Sequence, residues 1–493
     1  FLNIWSNIAL RSFEICTCTS SNTLASMISG KARQRRASSG SARSVQLQPK
    51  LKKVYKHDSL TFLWIIIGAT VAFLFGTPLF LLKVGLDANR ARLRGKHEDI
   101  KEDETKYHVV FSTDCSDYHN WQSYVLFYHA EKIGQPGTIT RIASGCSAKQ
   151  TLTMRDFHYH YVESISPRFK THFTPSYSDI DGDHFPYFNK PFGLRHWMEH
   201  ALGFPHADDD DAVIILIDPD MILLRPITRY FQNSTDRWNH GGLSKVIHGH
   251  PVAQKYLLSP QWLQWNLTAL LGSKTPASQL NRDDALRSFQ LGPPYIATAR
   301  DMWKLAKRWT ELCIEVKKVY PQMLAEMYAY ILAAADLNIV HTVSHSLMWS
   351  DPKVQYSEPW DWVESMDTNV LCEQMPSSIA NVLHYCQPFS LGDWAIFKTD
   401  LRGRMHKCNH PLLAEPPRND IVNYDMSSVH PLLLDRSLEK QHEWAERVNK
   451  REAFMLCHVI KKLNEAMEHH RNHACKGDSG NTEKSFRATP EKY

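Results

Sequence analysis

Short apolar runs separated by polar clusters predict a domain of alternating strands and helices from residue 107 onward. The strand candidates read "YHVVFSTD", "GTITRIAS" and "AVIILID". Apolar residues at helical spacing predict helices at Trp121–Gly134, Pro191–Leu202, Ala299–Lys318 and Gln322–Leu337. This alternation is typical of an α/β fold with a mostly parallel sheet flanked by helices. Such sheets bind ligands beyond the carboxyl ends of their strands.

A longer apolar run precedes this domain. Leu60–Leu82 holds 23 residues without a charge, which is enough to span a hydrocarbon core of about 30 Å. Nine Lys and Arg residues and no acidic residue lie in 31–57. The positive-inside rule therefore predicts a cytosolic N-terminus, with everything after Lys83 on the lumenal side. We expect a single-pass type II protein of the Golgi or ER membrane.

The pattern along the chain predicts six segments. They are a basic, disordered cytosolic tail (1–59), a transmembrane signal-anchor helix (60–82), a stem (83–106), a lumenal domain (107–430), a C-terminal helical segment (431–475) and a disordered tail (476–493). The helical segment keeps its apolar residues on roughly one face. We expect that face to pack on the domain, and a homodimer formed through this helix is the alternative.

Composition and charge narrow the class of protein. The 493 residues carry a net charge of only +5, with 43% apolar residues, as in globular proteins. The basic excess sits in the tail, so we expect no nucleic-acid partner. Eight of the ten cysteines follow the predicted span, and sequons predict N-glycosylation at Asn233 and Asn266. Both features agree with an oxidising lumen, although the sequence does not specify how the cysteines pair.

The strand "AVIILID" ends on two carboxylates, Asp218 and Asp220, separated by a proline. An Asp-Pro turn is the simple explanation. However, burying a carboxylate costs several kcal/mol unless a partner offsets it, and two adjacent carboxylates repel. A divalent cation would relieve both penalties, and oxygen ligands suit Mg²⁺ or Mn²⁺. We therefore predict a cation site that assists the departure of a nucleoside diphosphate.

The segment "NVLHYCQPFSLGDWAIFK", residues 381–398, offers further candidates for this site. His384 follows a short apolar run and is a candidate third ligand, and Lys398 is a candidate partner for a phosphate. A core histidine and a surface lysine are the alternative. Aromatic residues are also dense at "PQWLQW" and "SEPWDWVES", where either stacking on an acceptor or core packing would explain the tryptophans.

Several blocks occur in one order between Tyr107 and Asp400. They read "FSTDCSDYHNWQSY", "PGTITRIASGC", "FPYFNKPFGLRHWMEH", "VIILIDPDMILLRPI", "LAEMYAYILAAA" and "VLHYCQPFSLGDWAIFK". With these blocks the sequence resembles the plant and algal peptidyl O-glycosyltransferases of the secretory pathway. That family comprises the hydroxyproline O-arabinosyltransferases and the peptidyl-serine α-galactosyltransferases. The resemblance implies a GT-A-like, retaining enzyme that transfers a sugar from a UDP-sugar donor to a hydroxyl of a secreted hydroxyproline- or serine-rich protein.

The resemblance also implies roles for individual residues. Asp218 and Asp220 match the family's DxD motif for Mn²⁺ or Mg²⁺, and His384 is the implied third ligand. Lys190 is expected at the donor diphosphate and Glu326 near the reacting sugar. Some blocks are closer to the serine galactosyltransferases and others to the arabinosyltransferases, so the sugar and the acceptor residue stay open, with hydroxyproline the leading expectation. A lumenal sugar- or peptide-binding module without turnover is the alternative from another class.

Overall fold

The structure is a computed structural model that describes residues 105–231, 236–238, 245–428, 438–475 and 480–490. The predicted cytosolic tail, the predicted membrane span, residues 83–104 of the stem and the Asn233 sequon lie outside these ranges. Within them, no helix combines the length and the apolar character needed to cross a bilayer.

The elements follow one another as the alternating pattern predicts. The strands are β1 (Tyr107–Thr113), β2 (Thr138–Ser144), β3 (Phe169–Thr174), β4 (Asp179–Ile180), β5 (Asp183–His184), β6 (Val213–Ile217), β7 (Met221–Leu223), β8 (Val252–Lys255), β9 (Leu291–Thr298), β10 (Thr342–Ser344), β11 (Met348–Trp349), β12 (Val382–His384), β13 (Phe389–Leu391), β14 (Trp394–Ile396), β15 (Leu412–Leu413) and β16 (Lys484–Phe486). The α-helices are α1 (Asp117–Lys132), α2 (Ala148–Phe157), α3 (Asn189–Ala201), α4 (Leu267–Leu271), α5 (Arg282–Ser288), α6 (Ala299–Val319), α7 (Ala325–Asp336), α8 (Trp360–Glu364), α9 (Arg418–Val422) and α10 (Leu438–Ala474).

A seven-stranded sheet forms the centre, in the order β10-β8-β9-β6-β1-β2-β3. Strands β3, β2, β1 and β6 run parallel, so their carboxyl ends share one edge. All five residues of β6 are buried, as its unbroken apolar run predicts. The α/β class with a mostly parallel sheet is confirmed, as are the predicted strands at β1, β2 and β6 and the predicted helices at α1, α3, α6 and α7.

One central strand departs from the expected pattern. Strand β9 runs antiparallel between β6 and β8. It reads "LGPPYIAT", and the adjacent prolines Pro293 and Pro294 argue against a central strand because proline cannot donate to the ladder. Its fully buried side chains nevertheless complete the core. A separate three-stranded sheet, in the order β11-β12-β7, stands at the end of β6 and proves central to the candidate site.

The C-terminal helix α10 is part of the domain. It packs against α1, α8, β13 and β15, and disulfides join Cys372 to Cys457 and Cys408 to Cys475. Its buried apolar residues are Trp444, Ala445, Val448, Ala453, Phe454, Met455, Leu456, Cys457, Val459, Ile460, Leu463, Ala466 and Met467. Packing on the domain is therefore confirmed for the described part of the helix, and the face that a homodimer coil would need is buried within the chain.

The end of the chain also departs from expectation. The sequence predicts disorder from 476 onward, but β16 pairs in parallel with β15. The backbone N–H of Leu412 donates to the carbonyl of Glu483, and that of Asn481 donates to the carbonyl of Cys408. These contacts lie next to the Cys408–Cys475 disulfide. A short polar segment therefore gains order from this local anchoring, which its composition does not reveal.

Replacing Leu463 with alanine tests the packing of α10. Leu463 is fully buried, so the truncation should lower the free energy of unfolding by about 2–5 kcal/mol. The matched control is Glu446→Ala on the exposed side of the same helix, which should stay within about 0.5 kcal/mol of wild type. Denaturant unfolding measures both. Equal stability of the two variants, or a dimer that Leu463→Ala converts to monomers, would contradict this packing.

Candidate functional site

The pairing of β7 with β12 brings His384 to the carboxylates that end β6. Asp218 and Asp220 lie in the turn between β6 and β7. Met221 is opposite His384 in the antiparallel ladder, and the backbone N–H of Tyr385 donates to the carbonyl of Asp220 at 3.0 Å. The His384 Nε2 atom lies 3.2 Å from Asp220 Oδ1. Residues far apart in sequence therefore meet because two short strands pair.

Two lysines complete the charge balance. Lys190 Nζ lies 2.7 Å from Asp218 Oδ1, and Lys398 Nζ lies 2.6 Å from Asp220 Oδ2. Lys190 is in the first turn of α3, where a cation opposes the helix dipole, so the Asp218 carboxylate offsets an unfavourable position. Lys398 begins a 3-10 helix just after β14. The structure thus brings both predicted diphosphate-binding lysines to the predicted metal ligands.

Glu326 stands on the other side of Lys190. It lies in the first turn of α7, is 4% exposed, and its Oε1 atom is 3.5 Å from Lys190 Nζ. Within the part of the chain that the structure describes, this oxygen accepts no hydrogen bond. Burial raises the pKa of Glu326 to about 7, against the opposing effect of Lys190. A carboxyl group with such a pKa can hold or release a proton near neutral pH.

The other charged groups of the site stabilise one another's ionised forms against the effect of burial. Burial alone would raise the pKa of Asp220, but Lys398 and His384 hold it well below its usual value. Burial lowers the pKa of Lys398 and of Lys190, yet the carboxylates beside them raise both above the ordinary lysine value. Burial also opposes the protonation of His384, whereas Cys386 and Asp220 raise its pKa. Asp220 is therefore ionised and both lysines are protonated at neutral pH.

The donor atoms of Asp218, Asp220 and His384 fit a divalent cation. One ligand atom from each side chain lies within 4.8 Å of the others. Two carboxylates and one imidazole form a set that suits Mn²⁺ or Mg²⁺. Each of the two carboxylates already forms an ion pair with a lysine, so both lie where a positive charge stabilises them. The side chains present therefore fit the predicted cation, and their roles as ligands stay predictions.

The other predicted residues lie outside this cluster. Asn266 is exposed at the start of α4, where its Oδ1 accepts from the backbone N–H of Ala269 at 3.1 Å. Trp262 and Trp360 are each 1% exposed, so core packing explains both. Trp362 is partly exposed and stacks under the guanidinium of Arg237 at 5.1 Å.

Two residues beside His384 gave no signal in the sequence. The Tyr256 hydroxyl lies 3.3 Å from His384 Nδ1, and the Ser350 hydroxyl lies 3.4 Å from the same atom. Neither belongs to a local motif, and Tyr256 is 128 positions from His384. Only the pairing of β11 with β12 and the packing of β8 on β9 show that they meet. A correct strand-pairing diagram would have been needed to find them.

Comparison with known sequences finds similarity to one family over part of the chain. Residues 107–259 match the family model described as "Hydroxyproline O-arabinosyltransferase family N-terminal domain". A "Peptidyl serine alpha-galactosyltransferase" from Arabidopsis thaliana is 26% identical over an alignment of 356 residues that covers 67% of this chain and 37% of the relative. Its namesake from Chlamydomonas reinhardtii is 31% identical over 122 residues, which are 25% of this chain and 15% of the relative.

These matches confirm the resemblance drawn from the sequence blocks. The chain spans about a third or less of the length of the two curated relatives it matches. Among solved structures, the galactosyltransferase LgtC in complex with donor and acceptor sugar analogs has a TM-score of 0.33 and 12% identity, covering 57% of this chain and 87% of that one. That TM-score is too low for the likeness to bear on the fold or the activity.

The raised pKa of Glu326 predicts how stability depends on pH. The group binds its proton more tightly when folded, at a pKa of about 7, than at its ordinary value of 4.5. The resulting stabilisation, about 3 kcal/mol, is complete below pH 4.5 and is lost as the pH rises through 7. Between pH 4.5 and 8, the free energy of unfolding of wild type should fall by this amount relative to that of Glu326→Gln. Urea unfolding of the cation-free proteins measures it.

The matched control for this series is Glu446→Gln, which changes an exposed carboxyl group on α10. Its stability should follow that of wild type at every pH. If the curves of wild type and Glu326→Gln run parallel instead, Glu326 titrates in the folded protein as an ordinary carboxyl group, and the account of its burial is wrong.

Proposed function

We propose, from the match of residues 107–259 to the hydroxyproline O-arabinosyltransferase family, that the chain is a membrane-anchored, GT-A-like glycosyltransferase. It transfers a sugar from a UDP-sugar to a hydroxyl of a hydroxyproline- or serine-rich secreted protein. Hydroxyproline O-arabinosyl transfer is the first candidate reaction. Peptidyl-serine α-galactosyl transfer is the second, because both matched relatives carry that name.

The observation that carries this proposal is the convergence of the predicted residues. The turn with Asp218 and Asp220 meets Lys190, His384 and Lys398, which come from three other elements. Each of these five side chains lies within 3.2 Å of another member of the group. Glu326 joins them through Lys190. A turn-forming Asp-Pro pair with a core histidine and a surface lysine would not assemble in this way. The convergence supports a site that binds a strongly anionic group together with a cation.

The side chains suit transfer from a nucleoside diphosphate donor. A divalent cation held by Asp218, Asp220 and His384 would neutralise charge on the departing diphosphate. Lys190 and Lys398 present ammonium groups at the same place, and each can bind a diphosphate oxygen as its carboxylate partner turns to the cation. These preplaced charges stabilise the leaving group without reorganisation during the reaction.

Retention of configuration is consistent with these residues and needs no covalent intermediate. In a front-face reaction the bond between the sugar carbon and the diphosphate oxygen breaks while the acceptor oxygen forms its bond on the same face. The proton of the acceptor hydroxyl passes to the diphosphate. Glu326 touches Lys190, so it would lie near the sugar if Lys190 binds the diphosphate. Its carboxyl group would then orient the sugar or the acceptor.

A binding module without turnover explains the site less well. Buried charges lower stability unless they are paired and hydrogen-bonded, and Asp220, Lys190 and Lys398 are all held in a largely buried cluster. A module that only recognises a sugar or a peptide has no need for two carboxylates, two ammonium groups and an imidazole in one place. A group-transfer site does, because charge develops on its leaving group.

The site is proposed to face the lumen of the Golgi or ER. Three disulfides in the described residues, Cys115–Cys146, Cys372–Cys457 and Cys408–Cys475, fit an oxidising compartment. With residues 60–82 as the anchor, protease added to sealed microsomes should remove only the segment before Leu60. Immunoblots against an epitope after residue 490 measure this. Loss of that epitope without detergent would reverse the proposed orientation.

A donor and acceptor screen tests the function itself. The purified chain is incubated with Mn²⁺, with UDP-arabinofuranose or UDP-galactose, and with matched peptides that carry either hydroxyproline or serine. We expect glycosylated hydroxyproline peptide with the arabinose donor, and glycosylated serine peptide with the galactose donor would select the second candidate. Mass spectrometry of the peptides identifies the product. Transfer to a free oligosaccharide but to neither peptide would refute the proposed acceptor class.

The carboxylate variant Asp220→Asn isolates the contribution of the cation ligands. Losing one ligand and one charge should slow transfer by at least about 10³-fold, or roughly 4 kcal/mol in the barrier. The matched control is Asp156→Asn, whose side chain is 73% exposed on α2, and it should transfer at the wild-type rate. Near-normal transfer by folded Asp220→Asn would refute the assignment of the metal ligands.

A further inference from the structure

The two ring nitrogens of His384 face different chemistry. Nε2 faces the Asp220 carboxylate, whereas Nδ1 faces the hydroxyls of Tyr256 and Ser350 at 3.3 and 3.4 Å. The thiol of Cys386 also interacts with this ring and lies 3.4 Å from the Ser350 hydroxyl. The histidine and both hydroxyl-bearing residues are buried, with 3% of His384, 4% of Ser350 and 8% of Tyr256 exposed. Bulk water therefore does not hydrogen-bond to this side of the imidazole ring. An imidazole that binds a cation through Nε2 keeps its proton on Nδ1, and that N–H needs an acceptor.

We propose that Tyr256 and Ser350 are positioning residues, which accept the Nδ1–H of His384 and hold its Nε2 toward Asp218 and Asp220. This inference rests on the proposed cation site and adds the groups that orient its nitrogen ligand. A hydroxyl suits this task because it accepts from Nδ1–H while its own proton goes elsewhere. The Tyr256 hydroxyl donates its own proton to Met348 Sδ, at 3.6 Å.

Ser350 is itself held by the fold. It follows β11, which pairs in parallel with β12 so that Trp349 is opposite Leu383, and this register places the next residue beside His384. Its backbone N–H donates to Glu358 Oε2 at 2.7 Å, and its carbonyl accepts from Gln387 Nε2 at 3.0 Å. Because its backbone is fixed on both sides, the Ser350 hydroxyl can be aimed at His384.

Tyr256 reaches His384 only because residue 292 is a glycine. Tyr256 follows β8, and Gln254 of that strand is opposite Gly292 in β9. A Cβ atom at position 292 would lie 2.0 Å from Tyr256 Cδ2 and 2.2 Å from its Cε2. These distances are too short for any side chain at this position. The missing side chain at Gly292 therefore makes room for the ring of Tyr256 against the core.

Binding of Mn²⁺ alone, without donor or acceptor, tests the role. The full chain is titrated with Mn²⁺ as wild type, Tyr256→Phe, Ser350→Ala and the double variant, with electron paramagnetic resonance of free and bound ion as readout. The double variant should bind Mn²⁺ about 10–100-fold more weakly. The ¹⁴N modulation from the bound imidazole should weaken with it, which a general loss of stability would not cause.

The matched control is Tyr124→Phe, which removes another tyrosine–histidine hydrogen bond, 2.9 Å to His469 Nδ1, where α1 meets α10. It should bind Mn²⁺ as wild type does. Thermal unfolding without Mn²⁺ identifies any variant that does not fold. If the double variant does not fold, the isosteric Tyr256→Phe is the deciding variant, and we expect it to bind Mn²⁺ several-fold more weakly than wild type. Wild-type affinity and ¹⁴N modulation in folded Tyr256→Phe and in the double variant would overturn the positioning role alone. Absence of Mn²⁺ binding in wild type would overturn the proposed cation site and this role together.

Discussion

Two carboxylates at the end of a buried strand are stable only beside positive charge, and the elements that pack around the end of β6 place cationic side chains there. Asp220 is 5% exposed and is met by Lys398 and His384, while Asp218 is met by Lys190. Removing one partner of such a buried pair typically costs about 3–5 kcal/mol, because the other charge is left uncompensated. Helix α3, strand β12 and the segment after β14 must therefore all close on the end of β6.

This charge balance also suggests how ligands would enter. In the protein alone, the lysines neutralise the carboxylates. A cation and an anionic diphosphate bring charges of opposite sign, so both can be added while the total changes little. The cation would take over the carboxylates and the diphosphate would take over the lysines. Each ligand thus improves the site for the other, and by thermodynamic linkage their binding should be mutually cooperative.

Local patterns in the sequence predicted the features that depend on local physics. The unbroken apolar run of β6 predicts a buried parallel strand, which the structure confirms. The carboxylates after it predict a cation site at that edge of the sheet, which stays a prediction. Helical spacing predicted α3, α6 and α7. Lys190 and Glu326 are predicted only through the family resemblance, although the structure places Lys190 beside Asp218 and Glu326 beside Lys190.

The features that were missed depend on long-range pairing. Strand β9 carries two prolines, so its place in the middle of the sheet follows from tertiary packing rather than propensity. The contact of Tyr256 with His384 requires the register of β8 on β9 and a glycine at position 292. The order near Lys484 depends on pairing with β15 beside the Cys408–Cys475 disulfide. None of these contacts leaves a periodic signal in the chain.

We propose that Asp218, Asp220 and His384 bind one divalent cation next to a diphosphate. The most direct measurement is anomalous diffraction from crystals grown with Mn²⁺ and UDP. We expect a single strong peak in contact with oxygens of both aspartates and with His384 Nε2, and we expect Lys190 and Lys398 to contact the diphosphate instead of the aspartates. A peak elsewhere, or lysines still paired with Asp218 and Asp220 while UDP is bound, would contradict it.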